Sequence, residues 1–364
     1  MQDTDGGVFI KMGMASSRRG MIQGKATRPL SQDQHHRYYG PKCSASTIVA
    51  AGVFAHAARV YGTFGRWRSF ASDMRERAVR AWQWYSTHPR SYDCDTHAVM
   101  SGMANLNPAE QDAAEAVAAM HLWVLTGEDR FHEAFRKKVW AMRQLSGAVW
   151  SPFRMGQAEV LFEYPTLPGA DRATCDRISG AYLRSVQSPL FMPQNGAGEL
   201  YRAWMPDESY HWGSNRTRAC HGLAALEGAD AGLAGPLGDR LRQSALDQLH
   251  ALHGVNPLSI VYLSNMGRFG AELSAARMYH EWFGDFPPPG YLVGGPNRDY
   301  TGGLEWVRRQ PPAKAYAEVS DAPGAHSWEL TEPAIYYQAI YIRLLTEFAS
   351  SPAAPTRPRL YSLN

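Results

Sequence analysis

An all-α fold, a helical bundle or an α/α barrel, is what this sequence predicts, and three observations carry the prediction. Apolar residues recur at spacings of three and four through some nine segments of the 364-residue chain. Strand-like alternation of apolar and polar residues is scarce. Successive helical pairs follow one another without a repeat of fixed period, which argues against a tandem-repeat array.

Taken in order, Gly7–Met12 is the best short strand candidate. Ser46–Phe64 sets Val49, Val53, Phe54, Ala57, Val60 and Tyr61 on helical spacing. Arg66–Tyr85 does the same with Phe70, Met74, Val79, Ala81, Trp82 and Tyr85, and stops before His88-Pro89 because the residue ahead of a proline disfavours the helical region. Pro108 suits a first helical turn, and Thr126-Gly127 ends that helix. Asp129–Leu145, Arg172–Val186, Asn215–Leu226, Leu237–Leu252, Glu272–Phe283 and Thr331–Phe348 complete the set. Segments 28–42, 189–214 and 284–330 are long loops rich in Pro, Gly and aromatic residues, and long ordered loops are where function concentrates. No shift in composition marks a boundary, so one domain over residues 1–350 and a tail over 351–364 are expected.

Composition narrows the partners. Lys+Arg total 37 against 34 Asp+Glu, a net charge of +3, which gives no electrostatic reason to expect nucleic acid or an anionic membrane surface. The longest nearly uncharged run, 43–58, is too short and too broken by Ser and His to span a bilayer. Residues 1–7 lack the basic and apolar regions of a signal peptide. Cys43, Cys94, Cys175 and Cys220 form no Cys-x-x-Cys pair, so a zinc ribbon or redox dithiol is not expected and each reads as a small buried side chain. No metal site or cofactor is called for, and a monomer is expected.

The aromatic residues are more informative. Many sit beside Gly, Pro, His or Asn, as in residues 36–41 with Arg37 and Tyr38, residues 210–215 with Trp212, and residues 279–283. Flat rings next to hydrogen-bonding groups on loops suit a ligand with apolar faces and many hydroxyls, such as a sugar; anchoring of the loops to the core is the alternative. Near the C-terminus, Thr331 reads as an N-cap with Pro333 in the first turn, which sets Glu332 at a helix N-terminus. The helix dipole there favours a charged carboxylate. For Glu332 to act as an acid, burial by Trp328 or Tyr337 must oppose that effect; simple capping is the other reading.

Residues 332–339, Glu-Pro-Ala-Ile-Tyr-Tyr-Gln-Ala, resemble the last signature of glycoside hydrolase family 9, Glu-Val-Ala-x-Asp-Tyr-Asn-Ala. Further segments agree in order: Gly6–Lys11, Lys42–Thr47 running to Tyr61, Leu125-Thr126-Gly127, Trp212-Gly213-Ser214-Asn215, Gly254–Leu258 and Gly290–Asn297. The resemblance implies an (α/α)6 barrel of six hairpins acting on β-1,4-linked glucans with inversion at the anomeric carbon. It implies Glu332, in preference to the nearby Glu329, as the general acid, Tyr337 beside the bond being cleaved, and His280 and Asn297 among the sugar contacts. It admits calcium, and it implies a secreted or periplasmic setting.

The departures are as specific. The family's base is the first Asp of an Asp-Ala-Gly-Asp motif upstream of the Gly-Gly-Val block, and no such motif occurs in the chain. Residues 1–3 look like the end of a helix, so the first barrel helices and the base are expected to be missing, with Met1 an internal residue of a longer reading frame. Asp3 and Asp5 read as surface residues, and Asp95, Asp207 and Asp299 as solvated loop carboxylates. Hydrolysis by this chain alone is expected to be weak. Rival readings are a carbohydrate-binding pseudoenzyme and a β-glucosaminidase or exo-cellodextrinase of the same fold.

Overall fold

The computed structural model describes residues 1–14, 37–96, 102–147, 150, 154–192, 200–277, 287–319 and 324–349. Chain contacts divide them into two compact units, one of residues 1–146 and 159–176, the other of residues 147–158 and 177–349.

In the first unit, β1 (Met12–Met14) pairs antiparallel with β2 (Arg37–Tyr39). Val8 and Phe9, inside the expected Gly7–Met12 strand, make only isolated bridges to Gln2 and Lys42. Then come α1 (Ser44–Gly62), α2 (Arg68–Thr87), α3 (Pro108–Thr126), α4 (Asp129–Lys138) and α5 (Arg143–Ser146). α2 ends where the sequence predicts, with His88 extended ahead of Pro89 (φ −113°, ψ 148°). α3 is delimited by a capping box between Asn107 and Glu110 and by Gly127, whose φ of 73° closes the last turn. The expected helix over Asp129–Leu145 is broken: Met142 turns extended (ψ 128°), which lets both Val139 and Met142 reach the core with no exposed surface.

α1 packs along α2 and α3 through small residues, with Ile48, Ala51, Ala81, Tyr85 and Ala118 in one buried cluster and Ala55, Ala78, Leu122 and Phe131 in the next. Two readings of the sequence are corrected here. Cys43 and Cys94 are joined as a disulfide with Cα atoms 6.0 Å apart, not carried as separate thiols. Asp95, expected to be solvated, is 6% exposed: Lys11 reaches it at 2.5 Å and the Ala104 N–H donates to it at 2.9 Å. A buried charge needs such partners.

α6 (Met155–Glu163) and α7 (Arg172–Val186) contribute residues to both units. α6 went unread because nine residues carry too little periodicity to separate a helix from a buried strand.

The second unit continues with α8 (Ser214–Asp230), α9 (Gly238–Leu252), β3 (Val261–Ser264) and β4 (Ser274–Ala275), then α10 (Glu305–Arg308), α11 (Trp328–Thr331) and α12 (Ile335–Phe348). α8 is packed by α9 and α12, and 14 of its 17 residues are buried, so it is an interior helix with no polar face. β3 and β4 pair in parallel. The expected helix over Glu272–Phe283 is therefore overturned within its described part: the Leu273 carbonyl accepts from Val261 and the Ala275 carbonyl from Asn265, while the Ala276 and Arg277 N–H groups donate to Glu318. Residues 278–286, with His280, lie outside the described residues, as does the tail from 350.

Candidate active site

Pro333 decides the local structure around Glu332. A residue before proline is pushed out of the helical region, and Glu332 is extended, with φ −62° and ψ 125°. It caps the C-terminal end of the short α11, its N–H donating to the Trp328 carbonyl at 3.0 Å, and α12 begins only at Ile335 with Ala334 as N-cap. This corrects the reading of Thr331 as the N-cap and of Glu332 as a first-turn residue.

Trp212 meets this carboxylate from a distant part of the chain. It precedes Gly213, the N-cap of α8, whose φ of 84° is left-handed and favours glycine. The Trp212 indole Nε1 donates to Glu332 Oε2 at 3.0 Å. Its ring also packs edge-on against Trp328, with centroids 4.6 Å apart and planes at 67°. Burial raises the Glu332 carboxyl above the usual range, and the Trp212 N–H acts in the opposite direction. A half-buried carboxyl held by one donor, next to two indoles, is suited to give up a proton within reach of a ligand.

Tyr337 lies under the same turn. A Cβ at Gly213 would stand 2.5 Å from the Tyr337 hydroxyl, so the glycine is needed for close approach as well as for its φ. Tyr337 is 2% exposed and burial raises its phenol strongly. Tyr336 covers it edge-on at 4.7 Å and is itself exposed, with the Arg216 guanidinium 5.7 Å from the Tyr336 ring centroid.

The structure thus brings Glu332, Trp212 and Tyr337 together. Asn297, expected as a sugar contact, is turned inward: it is 2% exposed, its Nδ2 donates to Glu329 Oε2 at 2.9 Å, and its Oδ1 accepts from the Asp299 N–H at 2.9 Å. Its side chain is committed to the protein. Glu329, the rival acid, is buried at 4% exposure within a set of hydrogen-bond donors, whereas Glu332 is only half-buried. Tyr38 is an exposed residue of β2 in the first unit, and of Arg37 only the backbone is described. Asp3 and Asp5, also in the first unit, are both bound by Lys42 at 3.0 and 2.6 Å, which holds each below the usual carboxylate range. Trp328 and Trp212 as partners of the acid were not foreseen as a pair, since 120 residues separate Trp212 from Glu332. Among the described residues, no three or more His, Cys, Asp or Glu side chains are grouped to hold a metal ion.

Comparison with known proteins places the chain among relatives named as cellulose-degrading enzymes. Endoglucanase C of Cellulomonas fimi is 27% identical over 282 residues, 74% of this chain and 24% of that protein. Cellulose 1,4-beta-cellobiosidase of Acetivibrio thermocellus is 25% identical over 349 residues, 85% of this chain and 36% of that protein. The crystal structure of a metagenome-derived glycoside hydrolase family 9 endoglucanase is 27% identical and matches 96% of this chain and 59% of its own with a TM-score of 0.73, so the two share a fold. The chain therefore spans about a quarter to a third of these curated relatives and under two thirds of the solved one. The family model described as glycosyl hydrolase family 9 matches residues 1–345, nearly the full length, and the chain belongs to that family.

Proposed function

We propose that the chain acts on β-1,4-linked glucans of the cellulose type, with Glu332 donating the proton to the leaving glycosidic oxygen. The observation that carries this reading is the Glu332 carboxyl itself, raised by burial and approached by the Trp212 N–H at 3.0 Å. A general acid must hold its proton near working pH, and partial burial favours the protonated form. Trp212, 44% exposed, offers a flat face next to the acid on which a pyranose ring can lie. In an inverting hydrolysis a second carboxylate activates water from the opposite face, about 6.5–9.5 Å from the acid.

The Asp-Ala-Gly-Asp motif that would supply that base does not occur in the 364 residues. Asp3 and Asp5 are poor substitutes, because a carboxylate stabilised by Lys42 is a weaker base. We therefore propose slow turnover by this chain alone, lower by about 10²–10⁴-fold for want of the base. The same observation favours a second reading, a carbohydrate-binding protein without turnover. The Cys43–Cys94 disulfide supports export to an oxidising compartment. Among the described residues, no helix is long and apolar enough to cross a membrane.

Azide tests the reading, because it attacks an anomeric carbon without a base. Aryl β-cellobiosides with good and poor leaving groups are incubated with the chain, with and without azide. Azide is expected to accelerate release of both, and Glu332→Gln to abolish release only of the poor leaving group, which needs the proton. Binding of cello-oligosaccharides without release under any condition would move the pseudoenzyme ahead. The same assay on β-glucan, read by product length, separates the internal cleavage named for one relative from the cellobiose release named for the other.

A further inference from the structure

Glu329 stands three residues before Glu332 in the chain, and its side chain is 5% exposed. Its carboxylate gathers four donors. Asn297 Nδ2 reaches Oε2 at 2.9 Å, the Thr301 N–H lies 3.2 Å from both oxygens, and the Thr301 hydroxyl donates to Oε1. His326, with Nε2 carrying the proton, adds a contact to Oε1 at 3.1 Å. The His326 ring then lies flat on Trp328, centroids 5.0 Å apart and planes at 15°. Trp328 meets Trp212 edge-on, and Trp212 donates to Glu332. A continuous set of contacts thus joins Glu329 to the Glu332 carboxylate through three rings.

The backbone supplies part of this arrangement: the Leu330 and Thr331 N–H groups bond the Ser327 carbonyl at 2.9 Å, the Gly295 N–H bonds the Leu330 carbonyl at 2.8 Å and the His326 N–H the Gly302 carbonyl at 2.9 Å. α11 is still a single turn of four residues, and such a turn gains from side-chain support. Within that turn the Glu329 carboxylate is the group hydrogen-bonded to the 297–301 loop. Trp328 and Glu332 ride on the same turn.

We propose that Glu329 is the positioning residue of this site: by clamping α11 to the 297–301 loop and to the His326–Trp328 stack, it keeps the Trp212 N–H on Glu332. The inference rests on the preceding reading only in treating Glu332 as the acid; the coupling itself exists whether or not the chain turns over substrate.

The experiment therefore reads protonation directly. Carbon-13 NMR of carboxyl-labelled glutamate follows the Glu332 resonance, assigned by its loss in Glu332→Gln. Trp212→Phe removes the donor to the charged form and raises the Glu332 midpoint, by about half a pH unit or more. Glu329→Gln keeps size but puts an NH₂ among the four donors; loss of its charge alone would lower the Glu332 midpoint, so the expected rise marks loss of the Trp212 N–H, and a fall overturns the proposal. In the double variant the midpoint moves no further than with Trp212→Phe alone, because both substitutions break one path. If Glu329→Gln does not fold, His326→Gln keeps a donor to Glu329 but removes the flat ring, and the same rise is expected. A folded Glu329→Gln or His326→Gln with an unmoved midpoint overturns the proposal, even if its Tm falls. So does a further rise when Glu329→Gln is added to Trp212→Phe.

Discussion

The indole N–H of Trp212 donates to Oε2 of Glu332 at 3.0 Å, closing a separation of 120 residues. The bond favours the charged form of a carboxyl whose burial favours the protonated form, and burial is the larger of these two opposing influences.

That balance has a stability consequence with a definite sign. The folded-state pKa of Glu332 lies above its ordinary 4.5, so the folded chain holds this proton more tightly than the unfolded chain does. Stability from this group is therefore highest in acid and declines as pH rises from 4.5 through the folded value. Glu332→Gln removes the decline. The variant is expected to melt higher than the parent at pH 7 and no higher at pH 4. Equal melting at pH 7, followed by calorimetry, would sink the prediction.

A second pH effect runs the other way. His221 is 5% exposed on the interior helix α8, and burial, aided by the Arg218 charge, pushes it down from 6.5 to about 4. The unfolded chain binds that proton first, so stability is present above 6.5 and is lost as pH falls toward 4. The loss amounts to about 3 kcal/mol over that window. Urea titrations of parent and His221→Leu at pH 7 and pH 4 check it: the acid loss should be smaller in the variant.

The turn beneath the site gives a packing prediction. Gly213→Ala meets a left-handed φ of 84° and places a methyl 2.5 Å from the Tyr337 hydroxyl. Strain and overpacking together are expected to cost roughly 2–4 kcal/mol. Adding Tyr337→Phe removes the nearest atom and should recover part of the packing loss while leaving the strain. A Gly213→Ala protein as stable as the parent in urea would contradict the geometry.

The disulfide is a contribution to stability that can be switched off chemically. Cys43 and Cys94 are 51 residues apart, and closing a loop of that length stabilises by about 4 kcal/mol in the chain-entropy picture. Addition of a reductant should lower Tm, and Cys43→Ser/Cys94→Ser should lower it equally. A Tm indifferent to reductant would show that the two thiols are unpaired in solution.

What the sequence made legible was local. Pro108 and Thr126-Gly127 announce both ends of α3 because capping acts over a few residues, and the structure adds the Asn107–Glu110 capping box. Glu332 was found by its place in a motif, which needs no structure. Its setting was misread because two local rules competed: Pro333 was credited to a first helical turn, yet its effect on the residue before it prevailed. Contacts distant in sequence left no signal. Nothing near Cys43 names Cys94, nothing near Asp95 names Lys11, and the interior helix α8 shows no polar stripe from which its environment could be read. Asn297 was placed on the correct loop, but only the fold reveals that its amide faces Glu329 and the interior.

Two indoles 4.6 Å apart at 67°, one bonded to the acid, also make the protein its own optical reporter. Transition dipoles that close and that far from parallel couple, so the pair should give a split circular-dichroism band. A sugar ring lying on Trp212, or loss of the proton from Glu332, alters the angle or the polarity around one partner. Occupancy and charge of the site can thus be followed in unlabelled protein, by a spectral feature that Trp212→Phe and Trp328→Phe should each erase.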